Sequence, residues 1–287
     1  MAKVLKIVLS DFSYESRDKR EILCLIDMGH QVVVMAKSNN NEYQVIKQDG
    51  YEIHFLPTDT KKANGKRSIY KTIMTVINWI KYARNIKPDC ISGHDLIPLT
   101  IGYLSTLFTF REKKPMLVYD SHEFEIGRNT ASNNKLRKLI ISKVEKFLIK
   151  KCAFSIMVND SIADEIQKRY SLKEKPIVVR NVPNIWKIDP EICQQKRKEI
   201  YNRFSISKDT YLLMFHGGIA RGRGIGQVIK SLSELKNVAF VILGYGEAKK
   251  YYAAYARDLG VIDRVIFLDA VPLGELWEYI GAADLSI

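Results

Sequence analysis

These 287 residues hold no disulfide or zinc framework. The four cysteines, Cys24, Cys90, Cys152 and Cys193, are scattered without a CxxC pair and read as small core residues of a reduced compartment. No apolar run is long enough to cross a bilayer. The run Val4–Leu9 is strand-length and soon interrupted by Asp11, too short for a secretory leader, so a cytoplasmic protein is expected. No glycine occurs before Gly29, so the first strand is not followed by the GxGxxG turn that a dinucleotide-binding fold places there. That counts against a dehydrogenase. Internal repeats and low-complexity tracts are absent, and no aromatic–basic motif of a nucleic-acid reader is present. Nucleic-acid binding would rest on charge alone and is not expected.

The chain does have charge of one sign in one place. The net charge is +13; residues 1–180 carry 31 Lys+Arg against 20 Asp+Glu, and residues 181–287 carry 14 against 12. A basic first half fits an anionic partner, and a merely solvated basic face is the plain alternative. Hydrophobic residues make up 46%, enough for one large or two smaller cores.

Apolar strand patterns alternate with helical ones. Strands are predicted at Val4–Leu9, Gln31–Met35, Glu52–Phe55, Asp89–Ser92, Met116–Tyr119, Phe154–Val158 and Ile177–Val179. Helices are predicted at Glu15–Met28, Ser68–Asn85, Leu96–Phe110, Asn133–Lys151 and Ser161–Tyr170. Such alternation implies βαβ units around a parallel sheet. A turn-rich pause at Arg180–Asn184, with Pro183 and Pro190, is followed by a helix near Glu191–Phe204. The alternation restarts with strands at Tyr211–Phe215, Val238–Leu243 and Arg264–Leu268 and helices at Gly226–Leu235, Glu247–Leu259 and Leu273–Ala282. The expected organisation is an N-terminal α/β domain over 1–180, a linker and connecting helix over 181–208, and a second, incomplete α/β domain over 209–287. With only three full strands before Ile287, the second domain is expected to be small or a fragment.

The most informative stretch is Phe215–Gly226, FHGGIARGRGIG. A buried strand, a glycine-rich turn with Arg221 and Arg223, and a helix start are the parts of an anion site. An arginine adds a planar fork for phosphate oxygens. A second turn, Leu243–Glu247, carries Gly244 and Gly246; a tight strand-to-helix turn explains it equally well. Asp120, His122 and Glu123, in YDSHEF, lie past a strand end, where open parallel sheets bind ligands. They are candidates for orienting a sugar or moving a proton, although a capping cluster is an even alternative. His94 and Asp95 repeat the arrangement, with Asp95 read as a helix cap. The polar loop Ser10–Arg17, with Ser13, Tyr14 and Arg17, suits an acceptor. Lys61, Lys62, Lys66 and Arg67 lead into an apolar helix with Trp79, the better membrane candidate. The basic helix around Lys135–Lys151 reads as an ordinary helix with a buried apolar face.

Taken in order, DSHE (Asp120–Glu123), the helix with Glu145, Val158-Asn159, RNVPN (Arg180–Asn184), GGIARGRG (Gly217–Gly224), LGYGE (Leu243–Glu247) and the tail Leu259–Ile287 resemble the retaining glycosyltransferases of family four. These are the "glycosyl transferases group 1" type with the GT-B fold. The resemblance implies two Rossmann-like domains, an acceptor side and a nucleotide-sugar side. It also implies a UDP- or GDP-sugar donor and a glycan or lipid-linked acceptor, as in surface polysaccharide or glycolipid synthesis. No bound metal or cofactor is implied, and the inner face of the plasma membrane is a peripheral location. Arg223 matches the basic residue on the diphosphate, and Gly217 and Gly218 belong to the same loop. The family's second basic position falls on Gly218, so Arg221 is the substitute. His122 matches a histidine near the donor sugar. Gly244 and Gly246 match the second glycine turn, and Val271 and Pro272 match a segment flanking the base. The family's Glu-x7-Glu motif is not in the sequence, so weak or no transfer is expected of the chain alone. A non-catalytic nucleotide-binding or scaffold protein of the same fold is the alternative, and a sugar-nucleotide epimerase a further one.

Overall fold

The computed structural model describes residues 1–9, 12, 16–58, 69–107, 113–127, 135–182, 185 and 187–287. They form two compact units, Met1–Val182 and Pro183–Ile287.

The first unit is built on β1 (Lys3–Ile7), β2 (Gln31–Lys37), β3 (Gln44–Gln48), β4 (Tyr51–Leu56), β5 (Cys90–His94), β6 (Met116–Ser121), β7 (Phe154–Met157) and β8 (Ile177–Val178). Its helices are α1 (Ser16–Asp27), α2 (Ile69–Ile86), α3 (Leu96–Leu107), α4 (Lys135–Ile149) and α5 (Asp160–Tyr170). The strand order is β3-β4-β2-β1-β5-β6-β7-β8, parallel throughout except that β3 runs antiparallel to β4. Near-continuous apolar runs such as VVVMA are what a strand buried on both faces requires, and Val32 to Ala36 are all buried. β3 was not expected. Its sequence, QVIKQ, has neither an apolar run nor an alternation to mark it, and it is an edge strand joined to β4 through Asp49 (φ 48°) and Gly50 (φ 82°). Two left-handed residues in a row make the tight hairpin turn that suits twisted strands.

α3 lies so close to β5 that a Cβ on Gly93 would sit 2.4 Å from the Leu99 Cα. Trp79, expected at a membrane, is instead 1% exposed in the main core, with its indole N–H toward the Pro57 carbonyl at 3.4 Å. Burying so large a ring stabilises the unit more than any surface contact would. The other helix reverses its expectation too. On α4, Leu136, Leu139, Ile140, Val144 and Phe147 are exposed, and the buried residues are Glu145, Leu148 and Ile149. Glu145 accepts hydrogen bonds from the phenols of Tyr119 and Tyr170, each at 2.7 Å. α4 therefore docks through its C-terminal half and leaves an apolar stripe outward.

In the second unit α6 (Pro190–Arg203) is capped by Asp189 and starts with a proline, both favourable at a helix N-terminus. Then come β9 (Tyr211–His216), α7 (Ile225–Ser231), β10 (Val238–Leu243), α8 (Lys249–Asp258), β11 (Val265–Leu268), α9 (Leu276–Ala282) and β12 (Leu285–Ser286). The parallel sheet has the order β11-β10-β9-β12. Ile200 and Tyr201 of α6 share one apolar cluster with Leu212, Met214 and Ala282, so this helix packs on the second sheet. Asp284 joins three elements: its Oδ2 accepts from the Leu212 N–H at 2.6 Å and from Arg197 at 2.8 Å.

Candidate active site

In the first unit the chemistry collects at the carboxyl ends of β1, β5 and β6, neighbours in the sheet. β5 ends on His94, β6 brings Asp120 with His122 directly after it, and the first turn of α1 brings Arg17 and Asp18. Both aspartates are 0% exposed, His94 is 4% and Arg17 is 4% exposed. Arg17 Nη2 donates to Asp120 Oδ1 at 2.6 Å, and its Nε donates to Glu21 Oε1 at 2.9 Å. Lys6, pointing up from β1, reaches Glu21 at 2.5 Å and lies 3.8 Å from Asp18. The His94 Nδ1 is 2.8 Å from Asp18 Oδ1 and 3.1 Å from His122 Nε2. His122 Nε2 stands 3.7 Å from Asp120 Oδ2, an ion-pair distance rather than a hydrogen bond.

These surroundings set the charges. Burial pushes the Asp18 carboxyl up, and the charge of His94 and of Lys6 outweighs it, so the group lies below its usual range. Asp120 is likewise raised by burial and then held below the usual range by His122, His94 and Arg17. Burial disfavours a charged His122 ring, but the two buried carboxylates prevail and raise its pKa. Carboxylates kept ionised and an imidazole drawn toward its charged form are mutual consequences.

The His122 backbone N–H donates to Asp95 Oδ1 at 3.0 Å. Asp95 does begin α3, since its carbonyl accepts from the Leu99 N–H. Its left-handed φ of 69° turns the carboxylate across to the β6 end, so the residue also fixes the His122 backbone. His94, Asp95, His122 and Glu123 open onto a cleft of ≈ 820 Å³. Arg17 and Asp120, expected to face an acceptor, are buried and bound to each other. The pairing offsets two buried charges through Arg17 Nη2 and Asp120 Oδ1, while Arg17 Nη1 and Asp120 Oδ2 have no hydrogen-bond partner. Ser13, Tyr14, Lys61, Lys62, Lys66 and Arg67 lie outside the described residues. Asp18, Lys6 and Glu21 went unnoticed in the sequence; Asp18 reads there as an ordinary acidic residue in a first helical turn.

In the second unit the loops after β9, β10 and β11 meet at one carboxyl edge of a parallel sheet. The β9 loop runs from Gly217 (φ 127°) through Gly222 (φ 84°) to Gly224 (φ 80°), where α7 begins. Arg221 and Arg223 are exposed, and the Arg221 guanidinium lies 4.1 Å from the Tyr251 ring centre. Gly218 has open space where a Cβ would go. The second glycine turn has a different reason. A Cβ on Gly244 (φ 155°) would be 1.9 Å from the Gly217 oxygen, and one on Gly246 (φ 156°) would be 2.2 Å from the Ile219 oxygen. The Gly217 N–H donates to the Leu243 carbonyl at 3.0 Å, and the Ile219 N–H to Tyr245 at 2.8 Å. These two glycines let one loop lie backbone to backbone against the other. Val271 packs into the core beneath the same edge, and Pro272 is exposed.

Two α/β units on parallel sheets, each with its polar loops at the carboxyl edge, define the class: a GT-B fold with two Rossmann-like domains. The profile "Glycosyltransferase Family 4" matches residues 22–182, and "Glycosyl transferases group 1" matches residues 196–287. The chain belongs to the group 1 glycosyltransferases of family 4. An uncharacterised glycosyltransferase of Methanocaldococcus jannaschii is 24% identical over 174 residues, which is 59% of this chain and 44% of that protein. The match thus spans less than half of that relative's length. The sucrose-phosphate synthase of Thermosynechococcus elongatus superposes with a TM-score of 0.74 at 13% identity, covering 100% of this chain and 75% of that one. HepE of Anabaena, solved with UDP and glucose, gives 0.65 at 13% identity, covering 100% and 73%. At these identities the likeness is one of fold.

Proposed function

We propose that this chain works as a retaining glycosyltransferase. It moves a sugar from a UDP- or GDP-sugar to a glycan or lipid-linked acceptor in surface polysaccharide or glycolipid synthesis. The observation that carries the reading is the arginine-bearing glycine loop at Gly217–Gly224, open at the carboxyl edge of the second sheet. Departure of a nucleoside diphosphate develops negative charge. Guanidinium groups and backbone N–H groups already in place stabilise it without reorganising. Arg223 is assigned to the diphosphate. Arg221, stacked on Tyr251, supports it in place of the charge that Gly218 lacks. His122, at the cleft, is assigned to the donor sugar as the family resemblance implies, and the Anabaena relative's UDP and glucose are consistent with such a donor.

The test is calorimetry with UDP, GDP and their sugars, followed by mass analysis of products. Arg223→Ala should weaken diphosphate binding about tenfold or more, the scale of a charged hydrogen bond. Arg221→Ala should cost less. No nucleotide binding, or an unchanged affinity in Arg223→Ala, refutes the assignment. Binding without product marks a non-catalytic protein, and an altered donor sugar marks an epimerase.

The acceptor side is proposed to meet an anionic membrane through α4. Its exposed Leu139, Ile140 and Phe147 are flanked by Lys138, Lys143 and Lys146, all exposed. Apolar burial plus attraction to anionic lipid is the physics of an interfacial helix. Co-sedimentation with phosphatidylglycerol vesicles should fall with added salt and with Leu139→Ser. Salt-insensitive or absent binding removes the proposal.

A further inference from the structure

We propose that Asp18 and His94 are positioning residues for His122. They keep its proton on Nδ1, so the ring offers the cleft an N–H and acts there as a hydrogen-bond donor, not as a base. That the donated bond goes to an oxygen of the donor sugar rests on the transfer reading above; the tautomer does not. His122 Nε2 faces the buried His94 ring, 3.1 Å from its Nδ1. Nδ1 is therefore the ring nitrogen of His122 left for the cleft that the residue lines. One hydrogen at most fits between the two facing nitrogens, and the aspartates decide which ring owns it. His94 Nδ1 is 2.8 Å from Asp18 Oδ1 and 3.4 Å from Asp120 Oδ2. His122 Nε2 is 3.9 Å and 3.7 Å from the same two oxygens. A bare nitrogen 2.8 Å from an ionised oxygen sets lone pair against lone pair, whereas an N–H there is attracted. The hydrogen thus belongs to His94. His122 Nε2 meets an N–H and is the acceptor, and a neutral imidazole carries its one proton on the other nitrogen, Nδ1.

The groups around the pair push the same way. Lys6 of β1 and Arg17 of α1 bring two positive charges, and Asp18, Glu21 and Asp120 bring three negative ones, all in mutual contact. The balance beside the rings is one negative charge. Both Asp18 oxygens and Asp120 Oδ2 lack an aligned hydrogen-bond donor, so proximity of positive charge is what offsets their burial. A second proton on His122 is favoured by the same carboxylates. It goes to Nε2, toward Asp120 and Asp18, and leaves Nδ1 an N–H. The cleft therefore faces a donor in both protonation states of the ring. The opposite arrangement, with a bare Nδ1 ready to take a proton, would put the hydrogen of a neutral ring on Nε2 and set it against the His94 N–H. The supports behind the rings are in place. The Ser92 hydroxyl lies 3.4 Å from His94 Nε2, and Asp95 Oδ1 accepts from the His122 backbone N–H at 3.0 Å. A buried carboxylate that fixes one histidine, which in turn fixes a second, is a relay of orientation rather than of protons.

The test reads the ring itself and requires no turnover. The 287-residue chain is labelled with nitrogen-15 histidine, and long-range proton–nitrogen spectra are recorded above the titration of His122. The chain has five histidines, and His122→Gln identifies the signals of interest. His122 should show an N–H-type Nδ1 and a bare-type Nε2, the reverse of the Nε2–H preference of imidazole in water. His94→Phe keeps the bulk of a ring but removes the inner N–H, and should return His122 to the Nε2–H form as the carboxylates draw that hydrogen inward. Asp18→Ala removes the nearest carboxylate and should leave the two tautomers mixed. In calorimetry, the ratio of affinities for nucleotide sugar and for the plain nucleotide should fall about fivefold in His94→Phe, the scale of one hydrogen bond. A parent His122 with its proton on Nε2, or an unchanged tautomer in either folded variant, overturns the proposal. Should neither variant fold, the parent's tautomer decides alone. An Nδ1–H ring in a chain that binds no nucleotide sugar, or whose ratio does not fall, upholds the positioning and refutes the donor-sugar reading instead.

Discussion

Replacing Gly244 by alanine should do far more than its size implies. The new Cβ would fall 1.9 Å from the Gly217 carbonyl oxygen, against roughly 3.4 Å for an ordinary contact, so one loop has to retreat by about 1 Å or more. The φ of 155° belongs to a region used almost only by glycine, which adds about 1–3 kcal/mol. Loss of the Gly217 N–H bond to Leu243 adds about 1 kcal/mol. A total of about 2–4 kcal/mol should move the urea midpoint of the second unit by about 1–2 M. Fluorescence of Trp277, on α9, reports that unit. Gly218→Ala is the control, because nothing lies within 4 Å of its Cβ position; its stability should stay within about 0.5 kcal/mol. Nucleotide affinity should fall in Gly244→Ala, since the displaced loop carries Arg221 and Arg223. A Gly244→Ala protein as stable as the parent would refute the backbone-to-backbone reading of the two loops.

The buried Glu145 offers a second test. Glu145→Ala strands the phenols of Tyr119 and Tyr170 and should lower stability by about 3–5 kcal/mol, whereas Glu145→Gln, able to accept one bond and donate another, should lose less than half of that in thermal melts. Asp284 gives a pH dependence. Burial raises its pKa, but Arg197 and the Leu212 N–H prevail and lower it. Its contribution is therefore full above the unfolded carboxylate value of about 4 and is lost as pH falls through the lower folded value. Asp284→Asn should flatten the acid limb of the second unit's stability curve measured between neutral pH and about pH 2; an unchanged limb would assign the loss elsewhere. Gly93→Ala should disturb α3, because its Cβ meets the Leu99 backbone at 2.4 Å, and should lower the first unit's melting temperature while leaving the second unit's unchanged.

The fold was legible because parallel strands buried on both faces are written as unbroken apolar runs, as in Val238–Leu243 and Gln31–Met35. β3 broke that rule. Its signal was the Asp49-Gly50 pair rather than its strand residues, three of which are polar, as an exposed edge allows. α7 stops at Ser231, short of the expected Leu235, and turns follow. The arginine loop could be read because its glycines and charges are local. The buried cluster could not. Asp18 acquires its meaning from His94 and Asp120, far away in sequence, and nothing in the first turn of α1 distinguishes a carboxylate that will be 0% exposed. Trp79 and α4 were exchanged for the same reason. Amphipathic pattern says that a helix has an apolar side, but only packing says which side is covered.

The pairing of β1 with β5 has a consequence for how the protein is made. Leu5 pairs with Ile91, so a long stretch of chain, including β2 to β4 and α2, is synthesised before β1 gains its second neighbour. Contacts of such sequence separation form slowly because loop closure is paid for in entropy before they reward it. Until β5 and β6 arrive, Arg17 lacks Asp120 and Asp18 lacks His94, and only the contacts of Lys6 and Arg17 with Glu21 are within reach. The full cluster thus needs β1, β5 and β6 side by side, and its buried charges find their partners only once the centre of the sheet has closed.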